Sequence, residues 1–564
     1  MQYKELKEAW ANLTATGGPF EIETIDVRGV SLKSYKNAPA NLRDIWKSSK
    51  KYSDNEYLIY QDERITYLDA HLMCERVSGW LCAQGVEPGD RVAIAMRNYP
   101  EWMLIFWSCM NIGATVVGMN AWWSAAEAKH AVANTKPKVI FADKERMVQF
   151  TNAPLPNETK SLVIVREKPA PKSSVISWSE VISHDPTFPE VIIDPDSNAC
   201  LFYTSGTTGA SKGAEITHRS AVCNIFNVLF AGNVQNLAKQ TAQGINNEVP
   251  SPPAALITTP LFHVTANNCA AQIATALGGK IVLMYRWDAG NALSIIEKER
   301  ITTMSGVPVM GRELLNHPDF FSSDTSCLEN IGGGGAPLQP DFVEKVSVKT
   351  PNLSISSGYG MTEASGVIAS ISGDFLFDKP TSCGPVVPAL EIKFMDDNGH
   401  ELPKGETGEL WIKGASVVKG YFEDQDATSA CITDGWLRTG DLARIDEDQF
   451  LYIVDRKKDM VLRGGENVFC SEVEAVLYRH PAIIECCVFS VLDQRLGETV
   501  GAAILTHKDT DLTPEKIRQH CKEHLAAYKI PEAVWFLDQP IPRNASGKFV
   551  KKKLREMVGA EAPH

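Results

Sequence analysis

Several features of other protein classes are missing from this chain of 564 residues. Its 13 cysteines include no C-x-x-C pair, which argues against a thiolate metal site or a disulfide framework and favours a reduced, cytoplasmic protein. The opening residues, Met1 to Glu5, are too polar for a signal peptide. The most apolar stretch, residues 103–119, contains Asn111 and indicates a helix followed by a buried strand, so we expect no transmembrane segment.

Positive charge is also scarce. Lysine and arginine number 56 against 69 acidic residues, a formal charge of −13 that argues against a nucleic-acid partner. A basic cluster occurs at the C-terminal end, and apart from Lys548 we interpret it as a solvated helix face. Its members are Lys548, Lys551, Lys552, Lys553 and Arg555. The length exceeds one ordinary core, so we expect at least two domains.

The first part of the chain alternates predicted helices and strands. A helix from Thr66 to Gly85 precedes an apolar strand at Val92–Met96, and further helix and strand pairs follow, one helix opening with the typical capping box of Ser124 to Glu127. Repeated βαβ units predict an α/β fold in which a large N-terminal domain of doubly wound sheets carries a ligand crevice at the strand C-termini. We interpret Gly232 to Pro253 as an exposed loop or insertion.

The pattern changes near Pro388 and again near Asp455. Antiparallel strands, among them Leu390 to Met395, predict a small β-barrel-like subdomain that completes the N-terminal domain, residues 1–456. Residues 457–564 predict a small mobile α+β C-terminal domain. In it, Ser471 to Glu474 is typical of a capping box, and Thr513-Pro514 is typical of an N-cap followed by proline.

The run Tyr203 to Gly213 contains three glycines, five serine or threonine hydroxyls and one lysine behind an apolar strand. Such a loop suits phosphate oxygens, because backbone N–H groups, hydroxyls and an ammonium can all donate to them. Lys212 follows Ser211 and precedes Gly213, so the register is not that of a Walker A loop. The alternative is a mobile linker.

Other motifs follow in order. Tyr359 to Glu363 offers an aromatic ring on a glycine turn together with oxygens for phosphate and Mg²⁺. Gly332 to Pro337 exposes backbone through four consecutive glycines, and Asp441 could accept hydrogen bonds from ribose hydroxyls. Lys548 lies on a glycine-flanked loop. Taken alone, most of these segments could also be ordinary turns.

The segment Pro260 to His263 precedes a stretch without acidic residues. Leu261 to Cys269 contains no aspartate or glutamate, and a buried substrate ammonium would require such a partner. An amino-acid substrate is therefore not expected. His263 could act on the substrate or could be a structural histidine, and the sequence leaves both roles open.

These motifs and their order resemble the adenylate-forming superfamily over nearly the whole chain, and fatty acyl-CoA synthetases in particular. The superfamily also contains firefly luciferase and peptide-synthetase adenylation domains. The resemblance implies catalytic roles for Lys548, Glu363, Thr204 and His263, with Glu363 as the metal ligand. Ser357 stands where the family usually has an amide or an acid, which is a departure at the adenine site.

The resemblance also implies ligand contacts for a larger set of residues. The implied ATP contacts are Thr204, Ser205, Gly206, Thr207, Thr208, Gly209, Lys212, Gly334, Gly335, Ala336, Pro337, Ser357, Gly358, Tyr359, Gly360, Met361, Thr362, Asp441, Ile453, Arg456 and Lys548. The implied acid contacts are His263, Val307, Gly332, Gly333 and Gly360. The implied CoA contacts are Arg463, Gly464 and Gly465, and Lys458 is the implied hinge.

The resulting hypothesis is an AMP-forming acid:CoA ligase that uses ATP and Mg²⁺ and takes CoA as co-substrate. Its small-molecule substrate would be a carboxylic acid, most simply a medium- or long-chain fatty acid. Alternatives are an aryl or short-chain acid:CoA ligase, an enzyme that loads a carrier protein in trans, a luciferase-like oxygenase and a non-catalytic nucleotide-binding regulator. A homodimer would be compatible with the resemblance.

Overall fold

A computed structural model describes residues 3–151, 154–186, 190–204, 211–244, 251–335, 338, 343, 346, 350, 353–507, 510–544 and 547–559. Its strands are β1 Ile22–Val27, β2 Val30–Tyr35, β3 Glu56–Tyr60, β4 Glu63–Thr66, β5 Arg91–Ala95, β6 Thr115–Gly118, β7 Val139–Asp143, β8 Ser161–Val165, β9 Ile176–Ser177, β10 Asn198–Thr204, β11 Lys212–Thr217, β12 Ala254–Ile257, β13 Lys280–Leu283, β14 Thr303–Gly306, β15 Asn330–Gly334, β16 Ser354–Met361, β17 Gly366–Ser372, β18 Gly384–Pro385, β19 Leu390–Met395, β20 Gly408–Gly414, β21 Ile432–Thr433, β22 Trp436–Ile445, β23 Phe450–Arg456, β24 Val461–Arg463, β25 Glu466–Val468, β26 Ile483–Asp493, β27 Gly497–Thr506 and β28 Ala533–Leu537.

The helices of the described residues surround these strands. They are α1 Tyr3–Thr14, α2 Leu42–Ser48, α3 Tyr67–Ala83, α4 Pro100–Ile112, α5 Ala125–Thr135, α6 Lys144–Thr151, α7 Trp178–Val181, α8 His218–Gln243, α9 Gln272–Ala276, α10 Ala289–Glu299, α11 Pro308–Leu315, α12 Gly373–Asp378, α13 Gln425–Cys431, α14 Cys470–Leu477, α15 Pro514–Lys522 and α16 Lys551–Val558. Short 3₁₀ turns occupy Ser49–Tyr52, Thr362–Ala364 and Ala527–Lys529, and a π-helical turn occupies Asn267–Ala271.

Two large sheets with mainly parallel strands form the N-terminal part. One has the order β11-β10-β6-β5-β7-β8-β9 and the other β17-β16-β15-β14-β12-β13-β3-β4; among the described residues of these two sheets, only β10–β11, β16–β17 and β3–β4 pair antiparallel. Every residue of α4 is buried, so the apolar stretch at 103–119 is indeed a helix followed by a buried strand. The predicted doubly wound α/β architecture is confirmed.

Smaller sheets complete the molecule. A six-stranded antiparallel sheet, β18-β23-β22-β20-β19 with β21 beside β22, corresponds to the predicted β subdomain. The C-terminal part has its own sheet, β25-β24-β27-β26, with β28 parallel to β27 and its own buried cluster around Val488 and Ile504. Within the described ranges, no helix is both apolar enough and long enough to cross a bilayer.

The predicted helix starts hold in three places. Thr66 and Ser124 each form a capping box, with Asp69 and Glu127 respectively. Thr513 caps the helix that begins at Pro514 by accepting a hydrogen bond from the Lys516 N–H. These starts depend on side chains three residues apart, which a sequence pattern can reveal.

Three other predictions were wrong. Residues 232–243 are not a loop, because α8 continues to Gln243. Val234 and Ala238 on this part of the helix are buried in the core. Ser471 does not cap a helix: α14 begins at Cys470, and the Ser471 hydroxyl donates to the Val454 carbonyl instead. Lys551 does not share the solvated face of Lys552, Lys553 and Arg555: its side chain is only 21% exposed, and although burial acts to lower its pKa, Glu474 raises the pKa overall.

Candidate active site

The strands β10 and β11 flank the predicted phosphate loop. Thr204 ends β10 and pairs with Lys212, the first residue of β11. Ser205, Gly206, Thr207, Thr208 and Gly209 lie outside the described residues. The Lys212 Nζ lies 4.0 Å from the Asp424 Oδ2 and 5.3 Å from the centroid of the Tyr421 ring. Lys212 is therefore anchored at the rim of the site, beside the segment that contacts Glu363.

Glu363 occupies the short 3₁₀ turn that follows β16. The Tyr421 hydroxyl donates a 2.6 Å hydrogen bond to its Oε1 atom, and the Glu363 carbonyl accepts from the Val418 N–H at 2.9 Å. Burial and the neighbouring Glu363 carboxylate raise the pKa of Tyr421. The carboxylate keeps further lone pairs for a cation. Because Mg²⁺ usually takes one or two protein carboxylates together with phosphate and water oxygens, this donor set fits Mg²⁺.

Buried amides fix the turn after Glu363. The Asn224 Oδ1 accepts from the Val367 N–H at 2.8 Å, and the Asn268 side-chain amide donates to the Ser365 carbonyl at 2.9 Å. Both asparagines are fully buried. A Cβ atom at Gly366 would lie 2.3 Å from the Asn224 Oδ1, so only glycine fits there.

Tyr359, Asp441 and Arg456 form one connected group. The Tyr359 hydroxyl donates to the Asp441 Oδ2 at 2.6 Å, and the Arg456 Nε lies 3.4 Å from the Asp441 Oδ1. Asp441 and Arg456 are cross-strand partners in β22 and β23, and Ile453 is paired with Ala443 in the same ladder. Burial raises the pKa of Asp441, while Arg456 and Tyr359 oppose that shift. The carboxylate is thus held in place by two partners before a ligand binds.

The glycine-rich segment forms the end of β15. Gly333 and Gly334 pair with Ser357 and Gly358 of β16, and Ser357 is buried. A Cβ atom at Gly332 would lie 2.9 Å from the Ser305 hydroxyl. Ala336 and Pro337 lie outside the described residues.

The last two residues of β16, Gly360 and Met361, also lie at the site. Gly360 sits at an irregularity between β16 and β17, where a Cβ atom would lie 2.0 Å from the Gly366 carbonyl oxygen. Met361 ends β16, and Thr362 opens the turn that carries Glu363.

Lys548 reaches from the C-terminal segment into this group. Its backbone N–H donates to the Asn544 Oδ1 at 3.0 Å. Its Cε atom would lie 2.8 Å from a Cβ atom at Gly335, whose φ is +80°. Burial and then Arg456 lower the pKa of the Lys548 ammonium, while Asp441 and Glu363 act in the opposite direction. The structure therefore brings Lys548, Asp441, Glu363 and Gly335 together.

His263 lies within the electrostatic influence of Lys548. Its ring centroid is 4.7 Å from that of Phe262, and its backbone N–H donates to the Pro260 carbonyl at 3.1 Å. Its Nε2 atom is buried without a partner among the described residues. Burial and the Lys548 charge lower the pKa of His263 to about 4, so the imidazole is neutral at pH 7. A purely structural histidine would be expected to have a partner for that nitrogen.

Val307 and the hinge region complete the predicted set. A Cβ atom at Gly547, whose φ is +79°, would lie 2.8 Å from the Val307 side chain.

The residues predicted for the hinge and for CoA follow β23. Lys458 lies in the turn after β23, and burial lowers its pKa. Arg463 donates to the Tyr528 carbonyl at 2.7 Å and is paired with Glu532. Gly464 and Gly465 form the following turn, with φ values of +58° and +93°.

The sequence did not reveal Tyr421, Asn224 or Asn268. Tyr421 lies 58 residues from Glu363, and Asn224 lies 143 residues from Val367. No local spacing could have indicated these pairs, because they form only when separate elements pack together.

Comparison with known proteins agrees with this geometry. The family described as AMP-binding enzyme matches residues 45–422, and its C-terminal domain family matches residues 472–548. A feruloyl-CoA synthase of Amycolatopsis sp is 31% identical over 495 residues, covering 88% of this chain and 94% of the relative. A 4-coumarate–CoA ligase of Humulus lupulus is 32% identical over 511 residues, covering 88% and 90%. A long-chain-fatty-acid–CoA ligase of Yersinia pestis is 31% identical over 536 residues, covering 90% and 92%.

Solved structures show the same fold. The o-succinylbenzoate CoA synthetase of Bacillus subtilis, in complex with its acyl-adenylate intermediate, has a TM-score of 0.75 at 27% identity, covering 92% of this chain and 99% of that one. ATP-bound MatB of Rhodopseudomonas palustris has a TM-score of 0.79 at 26% identity, covering 92% and 99%. The extent of these matches, together with the Tyr359–Asp441–Lys548 arrangement, leads to one conclusion: the chain belongs to the AMP-binding enzyme family, the adenylate-forming superfamily, and is an ATP-dependent acid:CoA ligase.

Proposed function

We propose that this ligase activates an apolar carboxylic acid, in the first instance a medium- or long-chain fatty acid, in a cytoplasmic setting. The observation that carries the catalytic part is the position of Lys548, whose side chain lies against Gly335 and in the field of Asp441 and Glu363. A cation there can bridge a substrate carboxylate and the α-phosphate of ATP.

In the first half-reaction, a carboxylate oxygen of the acid attacks the α-phosphorus of ATP, and pyrophosphate leaves. Asp441 accepts hydrogen bonds from the ribose, Tyr359 supports the adenine, and Lys548 stabilises the charge that develops between the reacting groups. Thr204 and Lys212 flank the loop that we assign to the departing phosphates. Mg²⁺ held by Glu363 would neutralise phosphate charge when it is bound.

The second half-reaction requires Lys548 to give way to CoA. We place the boundary between the domains at Arg456 and Lys457 and the hinge at Lys458. Lys457 is paired with Asp397 at 2.8 Å and Glu409 at 3.2 Å, which ties the start of this segment to the large domain. A rotation about Lys458 would withdraw Lys548 and bring Arg463, Gly464 and Gly465 toward the acyl adenylate.

The residues beside the proposed carboxylate site support one broad class of acid. Phe262 and Val264 are buried, and Leu261 to Cys269 offers no carboxylate to a charged amine. This favours an apolar acid. A fatty acid is the first candidate, and an aryl acid is the second, because relatives named feruloyl-CoA synthase and 4-coumarate–CoA ligase match the chain as extensively as the fatty-acid ligase does.

A panel of acids separates these candidates. AMP release with CoA present should be measured for octanoate, hexadecanoate, 4-coumarate, ferulate and glycine, the last as the amino-acid control. We expect AMP and pyrophosphate with one apolar class and none with glycine. Formation of ADP and phosphate, or activity confined to glycine, would contradict the proposal.

A further inference from the structure

A cavity of about 220 Å³ lies beside Phe262, and none of the roles assigned above uses it. It forms where Arg97 follows β5, Trp122 follows β6 and Tyr285 follows β13, and Met310 of α11 closes it. Ligands of doubly wound proteins bind where parallel strands end in this way. The volume is below the usual range for a whole drug-sized ligand, so the cavity suits one part of a larger molecule.

Arg97 is the unusual member of this cavity. Its guanidinium carbon lies 3.7 Å from the centroid of the Trp122 ring and 5.0 Å from that of Tyr285. Its Nε and Nη1 atoms are buried without a hydrogen-bond partner among the described residues. Arg97 is itself only partly buried, but two buried guanidinium nitrogens without a hydrogen-bond partner cost free energy, and ring faces compensate only part of that cost. The arrangement therefore calls for an anionic ligand.

The neighbouring acids do not supply that anion. Asp143 and Glu145 are both paired with Arg146: its Nη1 atom lies 3.1 Å from the Asp143 Oδ2 and 2.7 Å from the Glu145 Oε2. Glu313 accepts a hydrogen bond from the Trp287 indole. Arg286 adds a second cation to the cavity wall, and the described lining contains no carboxylate. The cavity is thus positive in a chain whose net charge is −13.

The cavity adjoins the reacting centre. The Phe262 ring lies 5.6 Å from the Trp122 ring and 4.7 Å from the His263 ring, measured between centroids. Met310 belongs to the helix that directly follows Val307. A ligand part held at Arg97 can therefore belong to a molecule whose reactive end lies at His263.

From these contacts, we infer that the Arg97 cavity binds an anionic group, a carboxylate or a phosphate, of the molecule that reacts beside His263. This inference rests on the proposed function, because that function defines the two sources of such a group. One source is a phosphate of CoA, which agrees with the apolar acid proposed above. The other is a second carboxylate at the far end of the acid, which would make the substrate a dicarboxylate with an apolar chain between its two ends. The planar donor fork of arginine matches both groups.

Direct binding tests this inference independently of turnover. The full-length protein with AMP present would be titrated calorimetrically with CoA against pantetheine, which lacks the nucleotide phosphates, and with decanedioate against decanoate. Arg97→Gln removes the charge and Arg97→Lys restores it. Arg444→Gln is the matched control, because Arg444 also lies over an aromatic ring, Tyr452 at 4.6 Å, outside the cavity.

We expect Arg97→Gln to weaken binding of either CoA or decanedioate by about 10-fold or more, the scale of a lost charge-assisted hydrogen bond. Binding of the matched ligand without the anion should not change, and Arg97→Lys should restore part of the loss. The affected pair identifies the source. Wild-type protein without preference within either pair, or equal losses for both members of a pair, would overturn the inference. If the wild-type protein prefers CoA over pantetheine, or decanedioate over decanoate, but forms no acyl-CoA from any acid, the result would count against the proposed function alone.

Discussion

The two sides of the candidate site differ in how their polar groups are held. On the nucleotide side, Asp441 is bonded to Tyr359 and Arg456, and Glu363 is bonded to Tyr421. On the side that we propose for the acid and CoA, called the acid side below, the His263 Nε2 atom and two guanidinium nitrogens of Arg97 are buried without partners among the described residues. Lys548 lies between the two sides.

This difference has a physical reason. ATP is the same in every turnover, so the groups that contact it gain from being fixed beforehand by protein partners. The unpartnered nitrogens are free to bind a ligand that offers an acceptor, so binding there should depend on which ligand arrives. We therefore expect changes on the nucleotide side to affect mainly the rate, and changes on the acid side to affect mainly substrate selectivity.

The largest expected effect is at the junction of the two sides. Lys548→Ala should slow pyrophosphate release by about 10²-fold or more, the scale of losing one preorganised charge contact. Transfer to CoA from a supplied acyl adenylate should continue, because that step does not need the lysine. Equal losses in both assays would show that Lys548 has a structural role and does not join the two sides.

The pH dependence of adenylation tests the charge of the same residue. Burial lowers the pKa of Lys548 below 10.5, so the rate should fall about 10-fold per pH unit above that lowered pKa. Stability should move the other way over the same window, because the unfolded chain binds this proton more tightly. Lys548→Arg should shift the fall in rate to higher pH. An unchanged profile would assign the titration to another group.

A smaller effect should follow from loosening the nucleotide side. Tyr421→Phe removes the hydrogen bond to Glu363 and should raise the Mg²⁺ concentration needed for half-maximal pyrophosphate release by about 3- to 10-fold. Tyr452→Phe is the control, because it removes a similar 3.1 Å bond to Asp446 away from the site. If both variants shift the Mg²⁺ requirement equally, the Tyr421 bond does not position Glu363.

The smallest effect is expected on the acid side. His263→Ala should raise the KM for the acid or for CoA by about 5-fold, the scale of one neutral hydrogen bond, and leave the KM for ATP unchanged. Since the pKa of His263 is lowered to about 4, the wild-type rate should show no titration of this residue between pH 6 and 8. A change in the KM for ATP alone would place His263 on the nucleotide side.

Local patterns predicted much of this molecule. The helix start at Thr66, the capping box at Ser124, the buried strand predicted at Val92–Met96 and found at Arg91–Ala95, and the order of the glycine-rich motifs depend on residues close together in the chain, where spacing carries the information. The same approach failed at Ser471, whose hydroxyl found a carbonyl 17 residues away, and at Val234, whose burial depends on packing against other helices.

The sequence by itself determined the α/β class, the chemistry offered by Glu363, Asp441 and Lys548, and the family to which the motifs belong. Only the tertiary structure decided which partners these side chains meet. Tyr421 reaches Glu363 and Asn268 reaches Ser365 across long separations, and Arg97 meets Trp122 where two strands end. Hydrogen bonding and burial depend on distances in space, and distant segments acquire those distances only when the sheets assemble.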